Sequence, residues 1–192
     1  MFGGAFDPPH NAHVALADAA VRQLGLSLLY VVPTGDAWHK ARTLTEGAHR
    51  EAMARLAFGS VPSVRVDGRE LARSGPTYTV DTLRELRAAH PGDELCLLMG
   101  EDQAAGFERW HRWQEIAGLA VLAVAQRDNS GGDGIALLGA LPGVRVERLR
   151  MPRRPESATA IRARLTAGQD ITQLVPAPVA SYIAQHNLYQ SA

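Results

Sequence analysis

The chain has 192 residues, with 20 Lys plus Arg against 20 Asp plus Glu, 46% apolar residues and one cysteine. That is enough chain for one sizeable core, and a formal net charge of zero supplies no overall field for polyanions, which argues against a general nucleic-acid binder and against a membrane-surface protein. The longest unbroken small-apolar stretch, Gly118 to Ala125, falls far short of the roughly 18 residues of a membrane span.

Taken in chain order, a short first strand is expected just before Gly3 and Gly4. Only Met1 and Phe2 precede the glycines, so residues upstream of Met1 are expected to complete it. Val14, Ala17, Val21 and Leu24 then recur at helical spacing, and Gly25 closes that helix. Apolar runs at 28–33, 95–99 and 119–125, with weaker ones at 63–66 and 144–149, read as buried strands. Helical patterns lie between them: Ala52, Met53 and Leu56, with Thr45 as a candidate start, then Val80, Leu83 and Leu86. Alternation of this kind predicts a parallel sheet covered on both faces. Residues 129–134, Asn-Ser-Gly-Gly-Asp-Gly, read as a surface loop. Seven arginines and two glutamates between Arg145 and Arg164 give a local charge of +5, followed by helical patterns at 159–167 and 177–186 with starts at Ser157 and Pro176. That basic stretch is a solvated surface or a place to hold a polyphosphate.

No repeat or linker divides the chain, so residues 1–192 are read as a single domain whose C-terminal part, about 151–192, is helical. Cys96 cannot form an internal disulfide and no secretion signal is visible, so a cytoplasmic protein is expected. Nineteen of the 20 basic residues are arginine, which leaves Lys40 as the only lysine.

The segment Gly3-Gly4-Ala5-Phe6-Asp7-Pro8-Pro9-His10-Asn11-Ala12-His13 carries the chemistry. Two glycines are expected to let the backbone turn tightly against a ligand, and two histidines three apart at the start of a helix can face one group. Unpaired N–H groups and the helix dipole favour an anion there. Capping and packing alone, a metal triad of Asp7, His10 and His13, and phosphate binding are the three readings of these side chains.

The segment resembles the signature of the nucleotidyltransferase superfamily related to class I aminoacyl-tRNA synthetases, Gly-Gly-Ser/Thr-Phe-Asp-Pro followed by His-x-Gly-His. The wider resemblance is to the bacterial nicotinate mononucleotide adenylyltransferases. It extends through Trp38-His39-Lys40, Tyr78-Thr79-Val80-Asp81-Thr82-Leu83, Met99-Gly100-Glu101-Asp102, Trp110-His111-Arg112-Trp113 and Ser157-Ala158-Thr159-Ala160-Ile161-Arg162. The resemblance implies a Rossmann-like α/β fold, a doubly wound parallel sheet of about five or six strands. It implies AMP transfer from ATP to nicotinate mononucleotide, giving deamido-NAD and pyrophosphate, with Mg2+ accompanying ATP. It places His13, His10 and Lys40 in catalysis. Gly3, Gly4, Ala5, Phe6, His10, His13, Ser157, Thr159 and Arg162 are placed around ATP; Asp7, Lys40, Thr79, Gly100, Asp102 and Trp110 around nicotinate mononucleotide. No carboxylate cage for a metal is expected, and self-association is left open.

Ala5, Ala12 and Ala158 depart from the pattern, where a hydroxyl, glycine and serine are usual. A pantetheine-phosphate adenylyltransferase or cytidylyltransferase would share the first motif without explaining Thr79 and Trp110, and a nucleotide sensor without turnover would explain the three alanines. Trp113 is expected in the core, Cys96 as inert packing, and Asp81 as a helix-stabilising carboxylate.

Overall fold

The computed structural model describes residues 1–35, 43–127, 134–152 and 154–190. Trp38, His39, Lys40 and most of the 129–134 loop lie outside the described residues.

The apolar runs form strands β1 (Phe2–Gly4), β2 (Leu29–Pro33), β3 (Val64–Val66), β4 (Cys96–Gly100), β5 (Val121–Arg127) and β6 (Val146–Met151). All neighbours pair in parallel, in the order β3-β2-β1-β4-β5-β6. Parallel neighbours need crossovers, and these are supplied by α1 (Asn11–Leu24), α2 (Gly47–Phe58), α3 (Thr79–Ala89), α4 (Glu101–Ala104), α5 (Trp113–Leu119) and α6 (Gly134–Gly139), followed by α7 (Ala158–Thr166) and α8 (Ala177–Gln185). The sheet is therefore the doubly wound α/β arrangement expected.

Two apolar clusters cover it. One joins Phe2, Phe6, Met53 and Phe58 to Ile161, Val179 and Ile183; the other joins Leu83, Leu86, Met99, Phe107, Ile116 and Leu138, with Trp113 against it. Strand order reverses between β1 and β4, and in open sheets of this kind the crevice at the carboxyl ends of the reversing strands is where ligands bind.

Several expectations need correction. Gly3 and Gly4 end β1 rather than making the turn; the turn falls on Phe6, whose φ is 49°. A Cβ on Gly4 would meet the Phe6 ring at 3.1 Å, so glycine there admits that ring. Helix α2 starts beyond Thr45, with Glu46 as its cap. Ser157 does cap α7, its hydroxyl accepting from the Ala160 N–H at 3.2 Å, and Gly25 closes α1 at φ 60°.

Candidate active site

The crevice has two ends. At the first, helix α1 begins with His10 as its cap and His13 in its first turn. Their rings stack at 3.7 Å with 22° between planes, and the Phe6 ring meets His13 edge-on at 5.2 Å. The His10 main-chain N–H donates to His13 Nδ1 at 3.2 Å. An Nδ1 that accepts leaves the neutral ring's proton on Nε2, which makes Nε2 a donor. Burial holds the His10 imidazole down at about 4, and burial together with the neighbouring His10 holds His13 well below the usual histidine range. Both rings are neutral at neutral pH. His10 Nδ1 is buried and has no hydrogen-bond partner among the described residues.

The same end collects residues from across the chain. Arg162 of α7 donates from Nη1 to the Asp7 carbonyl at 2.7 Å and from Nη2 to Thr159 Oγ1 at 3.2 Å. The basic C-terminal segment is thus brought to the glycine-rich segment through one guanidinium. Asn11 is tied to residues 173–174, its N–H donating to the Leu174 carbonyl and its side-chain amide to that of Gln173, each at 3.0 Å.

Asp7, expected against the acceptor nucleotide, is held by partners from elsewhere in the chain. Only 1% exposed, it accepts the Tyr189 hydroxyl on Oδ1 at 2.6 Å and the Thr45 N–H on Oδ2 at 3.3 Å. Both carboxylate oxygens therefore have protein partners. Among the described residues no three His, Cys, Asp or Glu side chains gather as a metal site.

At the second end a cavity of about 710 Å³ opens beside β1 and β4. Gly3, Gly4 and Ala5 line it, as do Thr79, Asp102 and Trp110, so it gathers expected residues of both substrates. Gly100 ends β4 immediately before it, its N–H donating to Gln103 Oε1 at 3.1 Å. Thr79 is the first residue of α3, and the first backbone bond of that helix runs from the Asp81 N–H to the Tyr78 carbonyl at 3.1 Å. N–H groups ahead of it are those a helix leaves for other acceptors. Arg84 holds the cavity walls together: it bonds Asp81 on its own helix at 2.8 Å and reaches Glu115 on α5 through two nitrogens at 2.6 and 2.9 Å.

Four side chains, and one glycine beside them, had no role in the sequence reading. Arg50 is a guanidinium only 3% exposed, donating to the Thr45 carbonyl at 2.8 Å, the Ala5 carbonyl at 3.0 Å and the Thr34 carbonyl at 2.8 Å. Buried Glu70 lies in the cavity wall, accepts the Thr82 hydroxyl at 2.7 Å and has its carboxyl pushed up by burial. A Cβ on Gly35 would come within 2.1 Å of the Glu70 carbonyl, so glycine is required where that chain passes the end of β2. His111 packs against Tyr78 with ring centroids 4.3 Å apart, both on the cavity. Tyr189 is the fourth.

A doubly wound sheet with a helix start at its switch point is a nucleotide-binding design, and residues 1–164 match the cytidylyltransferase-like family model. This places the chain in the cytidylyltransferase-like class of nucleotidyltransferases. A relative from Albidiferax ferrireducens, described as "Probable nicotinate-nucleotide adenylyltransferase", is 54% identical over 100% of this chain and 98% of its own. Another so described, from Methylibium petroleiphilum, is 41% identical over 98% and 91%. The chain belongs to the nicotinate-nucleotide adenylyltransferase family. Its fold is shared with the Plasmodium falciparum nicotinic acid mononucleotide adenylyltransferase complexed with APC, at a TM-score of 0.80 and 21% identity, covering 98% of this chain and 94% of that one. The same parasite enzyme complexed with NaAD aligns at 0.80 and 22% identity, covering 98% and 95%.

Proposed function

We propose that this protein transfers AMP from ATP to nicotinate mononucleotide in NAD biosynthesis. The observation that carries this reading is the meeting of two unlike ends in one crevice: a helix start with two neutral imidazoles, and a cavity with an aromatic wall at Trp110 and a helix start at Thr79.

An oxygen of the acceptor phosphate attacks the α-phosphorus of ATP, the new P–O bond forms, and the bond from the α-phosphorus to the bridging oxygen of pyrophosphate breaks. The nucleophile is already an anion and no proton has to move. Catalysis is then alignment and charge stabilisation. His13 Nε2–H donates to the α-phosphate, with His10 stacked beside it. The negative polyphosphate favours protonation of the pair, which strengthens that contact. Arg162, with Ser157 and Thr159 at the start of α7, holds the β and γ phosphates, and Lys40 supplies a point charge to the phosphates. Gly3, Gly4, Ala5 and Phe6 form the floor beneath the ATP. Residues 151–192 thus serve as the phosphate-binding part of a single domain of residues 1–192.

The described donor set is rich in arginine and histidine and poor in gathered carboxylates, which suits an ion carried by phosphates and water rather than by a protein cage. Mg2+ bound to ATP would neutralise charge on the leaving pyrophosphate. Trp110 stacks on the pyridine, the α3 start at Thr79 receives its carboxylate, and Asp102, beside Gly100, accepts from ribose hydroxyls. Asp7 supports the nucleotide end through its main-chain carbonyl, which accepts from Arg162. No helix among the described residues is long and apolar enough to cross a membrane. A cytoplasmic location is proposed from the single cysteine, which cannot form an internal disulfide.

The test is pyrophosphate release from ATP and magnesium with nicotinate mononucleotide, phosphopantetheine, or CTP-linked acceptors in separate reactions. Turnover with nicotinate mononucleotide alone is expected. Turnover only with phosphopantetheine or CTP, or none at all, overturns the reading.

A further inference from the structure

One set of hydrogen bonds around the nucleotide end is not used by the chemistry above. Tyr189 follows α8 in a left-handed conformation, φ 65°, and Asn187 two residues earlier has φ 50°. Side chains with a Cβ rarely adopt this conformation, and an untethered tail would relax out of it. Tyr189 is tethered at two points. Its hydroxyl donates to Asp7 Oδ1 at 2.6 Å, across 182 residues of sequence, and its carbonyl lies 3.3 Å from the hydroxyl of Thr166, in the last turn of α7.

Asp7 passes the constraint on. Its main-chain carbonyl accepts from Arg162 Nη1 at 2.7 Å, and that guanidinium also reaches Thr159 Oγ1. Arg162 belongs to α7, as Thr166 does, so Tyr189 grips both the helix that carries the arginine and the loop the arginine points to. Burial and the adjoining carboxylate push the Tyr189 phenol up, so the hydroxyl remains a donor throughout the neutral range.

We propose that Tyr189 is a positioning residue for the polyphosphate of ATP: by holding Asp7 it sets the carbonyl against which Arg162 is aligned before the nucleotide arrives. The inference rests on the reading of Arg162 as a ligand of the β and γ phosphates. It separates the two substrates, because neither Tyr189, Asp7 nor Arg162 lines the cavity beside Trp110. An arginine held in place beforehand gives up less side-chain freedom on binding than one that must be ordered by the ligand.

Tyr189→Phe removes one hydroxyl and keeps the ring. Steady-state kinetics are expected to show KM for ATP raised about three- to tenfold, the scale of one lost hydrogen bond, with KM for nicotinate mononucleotide within about twofold of wild type. Arg162→Ala alone should raise KM for ATP at least as much. The double variant should be no worse than Arg162→Ala, since both changes act through the same guanidinium. A structural role alone would lower the melting temperature and leave the two Michaelis constants unchanged, and that result overturns the proposal. Full additivity in the double variant overturns it as well. If Arg162→Ala leaves KM for ATP at the wild-type value, the phosphate assignment of Arg162 fails and takes the proposal with it. If Arg162→Ala is impaired and Tyr189→Phe is not, the proposal fails alone.

Discussion

The two ends of the crevice are held in different ways. At the end proposed for the nucleotide, cations donate to main-chain carbonyls from half-buried or buried positions: Arg162 to residue 7, and Arg50 to residues 5, 34 and 45, of which 5 and 34 also border the cavity. At the pyridine end the walls are joined by partly exposed ion pairs among Asp81, Arg84 and Glu115, and by the packing of Tyr78 on His111. Salt screens exposed pairs and hardly reaches buried donors. On the reading proposed above, the difference teaches that the end where charge redistributes is pre-set by the backbone, whereas the end that recognises a ring is left to side chains that can adjust.

The largest expected effect belongs to the nucleotide end. His13→Ala should lower kcat by roughly two orders of magnitude or more, the scale of one lost transition-state donor, with KM for nicotinate mononucleotide little changed and the circular dichroism spectrum intact. Pyrophosphate-release kinetics check it, and near-normal turnover would remove His13 from the chemistry.

Next comes the choice between nicotinate and nicotinamide mononucleotides. An amide turned toward the α3 start leaves a donor facing donors, at a cost of about 1 to 3 kcal/mol, or roughly one to two orders of magnitude in kcat/KM. Equal kcat/KM for the two would mean that this helix start does not meet the pyridine substituent. Trp110→Ala, a smaller change, should raise KM for either mononucleotide about tenfold through lost stacking while KM for ATP holds. A rise in the ATP constant instead would break the division between the ends.

The remaining effect is on stability rather than turnover. His10 titrates at about 4 in the folded protein and His13 well below the ordinary value of 6.5. As pH falls through 6.5 the unfolded chain takes up protons that the folded chain refuses, so stability declines between about 6.5 and 4. Melting curves across that window should show the decline, and His10→Gln should flatten it.

Much of this was legible in the sequence and some was not. Short apolar runs located all five strands after the first, because buried parallel strands carry no alternating pattern and still stand out in composition. The order of the strands has no local signal. Helices α4, α5 and α6 escaped notice because helices of four, seven and six residues are too short to show a period. At the site, contiguous residues 3–13 declared themselves, while Arg50, Glu70 and Tyr189 did not, since their burial depends on partners far along the chain. One clue was available for Arg50. It stands with Met53, Ala54 and Ala57 on the buried stripe of α2, a position where an unpaired charge would be intolerable.

The stacked imidazoles have a consequence for the solution as well as for the substrate. Two rings 3.7 Å apart resist carrying two protons, so the pair titrates as a unit and enters the reaction cycle nearly empty of protons. A polyphosphate placed against it, on the reading proposed above, draws a proton from the solvent on arrival and returns it when pyrophosphate and dinucleotide leave. Nucleotide binding is then accompanied by net proton uptake. The calorimetric heat of ATP binding should accordingly change with the ionisation enthalpy of the buffer, and His10→Gln with His13→Gln should abolish that dependence. A heat independent of buffer in the wild-type protein would mean that the pair stays neutral throughout.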